Sequence, residues 1–249
     1  MTTFSIGGGI QVGGGITIDI DYSLYTTGLL LHLDAGDPSS YPGSGSTWTD
    51  LVGSKAFTLH GSPTYSSSNG GYLNFAPASS QWANSSTSLS STSTWTVEAW
   101  HYYNGTNNGT NGGLGACIVT EYFTGTPNVI NFSLGNNLGG TSTDIQAGFF
   151  NGSWRNTASG YSLTANAWYH LVGTYDGSTI KFYVNRNLQS STNYVGTPTS
   201  GGHGIRLMRR WDDGDYWGGR LSVVRIYDNA LTQNQVTGNY NAQRVRFGL

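Results

Sequence analysis

Between Arg209 and Trp217 the chain reads Arg-Arg-Trp-Asp-Asp-Gly-Asp-Tyr-Trp, the densest cluster of chemically able side chains in its 249 residues. Sugars are held by stacking their apolar faces on aromatic rings and by paired hydrogen bonds to planar carboxylate and guanidinium groups. Trp211, Tyr216, Arg210 and Asp212 supply those types on one loop. Trp211 is the expected platform, and Trp217, next to Gly218-Gly219, is the expected core plug beneath it. Three aspartates this close repel one another unless a cation, arginines or water offset them. Asp212, Asp213 and Asp215 are therefore candidate ligands for calcium, which takes several oxygen donors. Asp34 and Asp37 are candidate contributors from a second loop. The alternative is an acidic turn balanced by Arg209, Arg210 and Arg220, since Asp and Gly also cluster in ordinary turns.

Hydrolysis of a glycosidic bond needs two carboxylates flanking it. The chain has two glutamates, Glu98 and Glu121, and Glu98 is followed by Ala99, Trp100 and His101 with no second acid on that strand. The expected state of Glu98 is a strand carboxylate satisfied by a local hydrogen-bond partner. No serine sits in a Gly-x-Ser-x-Gly turn. Cys117, within Ala116-Cys117-Ile118-Val119, reads as a buried small hydrophobe. The five histidines, His32, His60, His101, His170 and His203, are not at metal-motif spacing. With no catalytic signature, the expectation is a non-enzymatic protein.

Composition narrows the partners. Only 10% of residues are charged, against about 25% in an ordinary soluble domain. Yet 13% are aromatic, which argues against a disordered chain. The net charge is −2 and the longest basic run is Arg209-Arg210, so no patch is built for a phosphate backbone. No apolar run approaches the roughly 20 residues needed to span a bilayer. Neither nucleic acid nor membrane insertion is expected. The opening residues show no signal-peptide pattern, and a single cysteine permits no internal disulfide. The surface must be made of Ser, Thr, Asn, Gly and Tyr.

Two regions position these groups. In residues 1–27 the apolar side chains Phe4, Ile6, Ile10, Val12, Ile16 and Ile18 all fall on even numbers, the period-two alternation of a strand with one buried face. Triple glycines interrupt it and cannot hold a strand alone. The arm is expected to order by adding its backbone to a sheet edge or to a neighbouring subunit. Residues 28–249 read as one domain of many short strands, including 29–33, 95–103, 116–121, 145–150, 168–175, 180–185, 205–209 and 221–227. Asp176-Gly177 marks a tight hairpin, and 230–240 could form one short helix. Many short strands with turns between them predict an all-β antiparallel sandwich.

Three stretches sharpen that class. Residues 95–100 (WTVEAW), 167–185 (AWYHLVGTYDGSTIKFYVN) and 218–232 (GGRLSVVRIYDNALT) resemble the core strand, the hairpin and the closing strand of laminin-G-like, concanavalin A-like domains. The resemblance implies a jelly-roll of two antiparallel sheets, with calcium as the candidate cofactor. Residues 31–37 (LHLDAGD) and the Arg209–Trp217 loop are similar to laminin-G-like domains of phage structural proteins. The expectation is a multicopy or homo-oligomeric virion component, of capsid or tail. Its arm would attach to other virion proteins, and its sandwich rim would hold cell-surface glycans. The alternatives are an extracellular lectin or carbohydrate-binding module, and a glycoside hydrolase.

Overall fold

The structure is a computed structural model that describes residues 6–12, 16–20, 23–89, 93–108, 116–122, 129–136, 144–158, 160–198, 202–211 and 214–249. Two antiparallel eight-stranded sheets pack face to face. The front sheet runs, in spatial order, Trp154–Asn156, Ile145–Asn151, Val129–Asn136, Cys117–Glu121, Ile205–Leu207, Trp82–Ser85, Ala56–His60 and Thr47–Thr49. The back sheet runs Asn187–Asn193, Thr179–Val184, Ala167–Tyr175, Trp95–Tyr103, Gly219–Tyr227, Tyr72–Phe75 and Thr64–Ser66, with Leu29–Asp34 also paired to Gly219–Tyr227.

The three long back-sheet strands are covered on both faces, which is why they read as nearly continuous hydrophobic runs. Trp95, Val97 and Ala99 point into the core with Leu171, Tyr175, Val224 and Ile226. Trp100, Trp168 and Val223 point the other way, onto Tyr240 and Phe247. A register shift between Leu221 and Val223 changes which parity faces inward along the closing strand. The Asp176-Gly177 turn forms as expected. Asp176 Oδ1 accepts from the backbone of Ser178 and Thr179 at 2.9 and 2.8 Å, and Gly177 takes φ +96°.

The helix forms at Gln233–Gln243, later than the 230–240 expected. Thr232 sets its start through a reciprocal capping box with Gln235. It lies over the outer face of the back sheet, burying Val236, Asn239 and Tyr240. Residues ahead of the first back-sheet strand dock there too. Tyr25 N–H donates to Asn239 Oδ1 at 2.9 Å, and Tyr227 Oη donates to the Tyr25 carbonyl at 3.1 Å. The root of the arm is thus fixed on the back of the molecule.

The arm differs from a single continuous strand. Ile6–Val12 and Ile16–Ile20 pair with each other, antiparallel, with Ile10 opposite Ile18 and Val12 opposite Ile16. An even-numbered register pairs even positions with even positions, so the alternation seen in the sequence is kept across the hairpin. Phe4 lies outside the described residues.

Candidate functional site

Front-sheet side chains pointing away from the core form a polar cross-strand line, Thr58, Asn84, Arg206, Thr120 and Ser133, each opposite the next. Beside it runs a row of upright rings and guanidinium groups. His60 and Trp82 are cross-strand partners, and their rings stack at 4.1 Å and 11°. The Arg206 guanidinium lies 4.9 Å from the Trp82 ring and 4.5 Å from Tyr122. Arg209 lies 4.5 Å from Trp82 and 5.0 Å from Tyr216. Cation–π contacts of this kind align guanidinium and ring faces. They also spend those faces: Trp82 already contacts His60 and two arginines.

The row ends differently. Trp211 meets Trp154 at 4.7 Å between centroids with the planes opened to 60°, and Arg210 sits 5.3 Å over Trp211. Both indoles are half-buried. Trp154 is placed by a front-sheet hairpin, where it is the register partner of Phe150. Trp211 is placed by the loop that leaves the strand Ile205–Leu207. That loop is closed by a bridge between Arg209 and Tyr216 and by Arg210 N–H donating to the Asp215 carbonyl at 2.8 Å. Arg206 Nη1 donates to the Arg210 carbonyl at 2.7 Å. Two half-buried indoles from separate elements thus meet at a corner, with a guanidinium over one of them.

Of the residues singled out from the sequence, Trp211, Tyr216 and Arg210 come together on this face. Trp217 is 2% exposed, and its Nε1 donates to His101 Nε2 at 2.9 Å, so it plugs the core. Asp212 and Asp213 lie outside the described residues. Asp215 is 3% exposed, with its carboxylate 3.8 Å from Arg210. The suggested second contributors to calcium are also committed elsewhere. Asp34 forms a two-pronged pair with Arg246 at 2.8 Å per contact, and Asp37 accepts from Ser39 N–H. Among the described residues no three acidic, histidine or cysteine groups gather as a metal site. Asp34 is thus paired with Arg246 and not with Asp215.

Sequence reasoning missed Trp154, Trp82 and His60. Trp154 carried a signal in Asn151-Gly152, a hairpin turn pairing two aromatic residues across it. Trp82 and His60 lie on short alternating strands, at the positions that face away from Phe57, Leu59 and Ala83.

Glu98 is fully buried beneath the helix. Its Oε1 accepts from Arg225 Nη1 at 2.7 Å and lies 2.9 Å from His170 Nε2, while Oε2 accepts from Asn239 Nδ2 at 2.8 Å. Burial alone would raise its pKa, but the Arg225 charge and the hydrogen bonds from His170 and Asn239 hold it down at about 2. An ion this deep survives only when paired and hydrogen-bonded, because desolvation costs several kcal/mol per charge. Both carboxylate oxygens are engaged, as expected of a structural strand glutamate. Burial alone pushes His101 down to about 3, keeping it neutral as the acceptor for Trp217.

Comparison with known proteins follows the architecture. The family model described as the concanavalin A-like lectin/glucanases superfamily, Laminin_G_3, matches residues 67–237. No curated protein matches the sequence. Domain 4 of AbnA, a GH43 extracellular arabinanase from Geobacillus stearothermophilus, solved with arabinotriose, superimposes with a TM-score of 0.67 at 18% identity, covering 87% of this chain and all of that domain. The Trypanosoma rangeli sialidase in complex with sialic acid gives 0.62 at 13% identity over 90% of this chain, which spans only 34% of the sialidase. The ligand-binding domain of Botulinum neurotoxin serotype D, in complex with N-acetylneuraminic acid, gives 0.60 at 12% identity, covering 87% of this chain and 51% of that one. At these identities the neighbours establish the fold. With the family model spanning most of the jelly-roll, the chain belongs to the concanavalin A-like lectin/glucanase superfamily, in its laminin-G-like branch.

Proposed function

We propose that this protein is a non-catalytic carbohydrate-binding module that takes glycans at the Trp154–Trp211 corner of its front face. The carrying observation is that corner: two half-buried indoles opened to 60°, with Arg210 over one of them. An open indole face suits the apolar side of a sugar ring, and the guanidinium offers paired donors to its hydroxyls. Tyr216 and Arg209 extend the surface. Support also comes from the neighbours, since the arabinanase domain was solved with arabinotriose and the neurotoxin domain with N-acetylneuraminic acid. The test is a glycan array. Wild-type protein should bind a defined glycan set that Trp211→Ala and Trp154→Ala lose; binding unchanged in both variants would remove the corner from the account.

The setting proposed is a virion, with residues 1–27 attaching the module to another virion protein and many copies giving avidity. The charge-poor, disulfide-free composition and the paired Ile10/Ile18 and Val12/Ile16 positions of the arm support this reading. So does geometry: the arm roots on the outer face of the back sheet, opposite the aromatic face. Anchored there, the glycan face would point outward. Deleting residues 1–24 should abolish incorporation into particles while leaving array binding intact. Normal incorporation of the truncated protein would remove the arm as the anchor, and absence of the full-length protein from particles would favour the alternative, an extracellular lectin.

A further inference from the structure

A second concavity lies at the open edge of the sandwich. It opens between the loop leading into Thr47–Thr49, the last strand of the front sheet, and the loop leading into Thr64–Ser66, the last strand of the back sheet. Its volume is about 490 Å³, within the roughly 300–1,000 Å³ of small-ligand sites. Tyr65 and Leu59 form apolar walls, while Ser44, Ser46 and Ser62 bring hydroxyls to the rim. Those three serines are exposed, and Tyr65 is half-buried.

Two features make the shape preformed. Tyr41 is buried and its Oη donates to the Gly45 carbonyl at 3.0 Å, tying down the loop. Its ring also backs Tyr65 at 5.4 Å. The backbone then turns through left-handed conformations at Gly43 and Gly45, with φ +90° and +101°, and at Ser62, with φ +57°. At Gly43 the left-handed φ is what favours glycine, since a Cβ there would meet the Tyr65 ring only at an ordinary contact distance of 3.4 Å.

The lining selects a chemical class. It includes no charged side chain, so a charged ligand would lose its hydration without a counter-ion. A purely apolar ligand would strip water from three serines and offer them nothing in return. A neutral polyhydroxyl ring satisfies both walls, with one face on Tyr65 and hydroxyls toward the serines. We propose that this cleft is a second saccharide site, separate from the front face, that takes a neutral sugar residue.

The test is a titration of isotope-labelled full-length protein, followed by NMR, with glucose, galactose, N-acetylglucosamine and arabinose. At least one should shift the amide signals of Gly43, Ser44, Gly45 and Ser62 in a saturable way. Tyr65→Ala should weaken that binding at least tenfold, and Trp211→Ala should leave it unchanged. Because Tyr65 packs on Tyr41, Ser44→Trp provides a second variant that fills the cleft from an exposed position without touching the core, and it should also abolish the shifts. No saturable shift at the cleft with any of the four sugars would overturn the proposal. So would shifts that persist in both cleft variants, or that vanish in Trp211→Ala.

Discussion

The two outer faces of this sandwich draw on the same side-chain types and use them in opposite ways. On the back, Trp100 stacks on Phe247 at 4.2 Å and 16°, Arg225 pairs with Glu98, and His170 and Asn239 complete the carboxylate's hydrogen bonds. All four polar groups are buried under the helix and the C-terminal turn. On the front, Trp154, Trp211, Arg209 and Arg210 remain half-exposed. The back face shows what these residues look like when they hold a fold together: low exposure, both oxygens used, rings covered. The front corner retains open ring surface on two elements that a purely structural role would have covered. Rings and arginines alone do not mark a site; their remaining exposure does.

The sharpest way to test that contrast is to break the back face. Glu98→Ala leaves Arg225 buried without its carboxylate, and loss of one partner of a buried pair typically costs about 3–5 kcal/mol. A denaturant titration should show a loss of that size, while the folded fraction keeps its glycan binding. A loss under about 1 kcal/mol would mean that the network is not structural.

The next effect comes from pH. Burial first, then the Arg225 charge, lowers His32 to about 4, and burial lowers His101 to about 3, from an ordinary 6.5. Both are held neutral in the fold, so above pH 6.5 neither changes stability with pH. Below it the unfolded chain takes up protons that the folded one refuses, and stability falls by up to about 1.4 kcal/mol per pH unit for each histidine. Glu98, depressed to about 2, adds a further loss once pH drops below its ordinary 4.5. Urea midpoints should therefore shift down between pH 7 and pH 5, by about 2–4 kcal/mol in stability. A flat profile would contradict neutral burial of His32 and His101.

The front face should respond the other way round. Trp154→Ala and Trp211→Ala should each weaken glycan binding at least tenfold, about 1.4 kcal/mol, and change stability by less than about 1 kcal/mol. Smallest of all, Thr232→Ala should cost about 1 kcal/mol by removing the helix cap. Calorimetry should show that loss without any change in glycan binding.

The sequence made the back sheet legible because its strands are long and buried on both faces. Residues 95–103 and 221–227 are apolar or aromatic at most positions, and the strands form there as Trp95–Tyr103 and Gly219–Tyr227. Asn187–Asn193 was not legible, since this exposed edge strand is almost wholly polar. Val129–Asn136 does alternate, with Ile130, Phe132 and Leu134 apolar and Asn131, Ser133 and Gly135 between them, so this strand was legible. The arm's parity was readable, but a period of two cannot say whether the strand pairs outward or folds back on itself; it folds back. Half of the front corner was readable in the Arg209–Trp217 loop. The other half, Trp154, depended on cross-sheet register, which joins residues more than fifty positions apart. Asp34, by contrast, was drawn away from the loop by Arg246, a partner 212 positions distant.

The central claim is that the Trp154–Trp211 corner is where sugar binds. Its most direct test is calorimetric titration of the strongest array ligand into wild type, Trp154→Ala, Trp211→Ala and the double variant. The account predicts saturable binding by wild type, a loss of at least tenfold in each single variant, and a double variant little worse than either, because the two indoles form one cradle. Wild-type affinity in the double variant would contradict it.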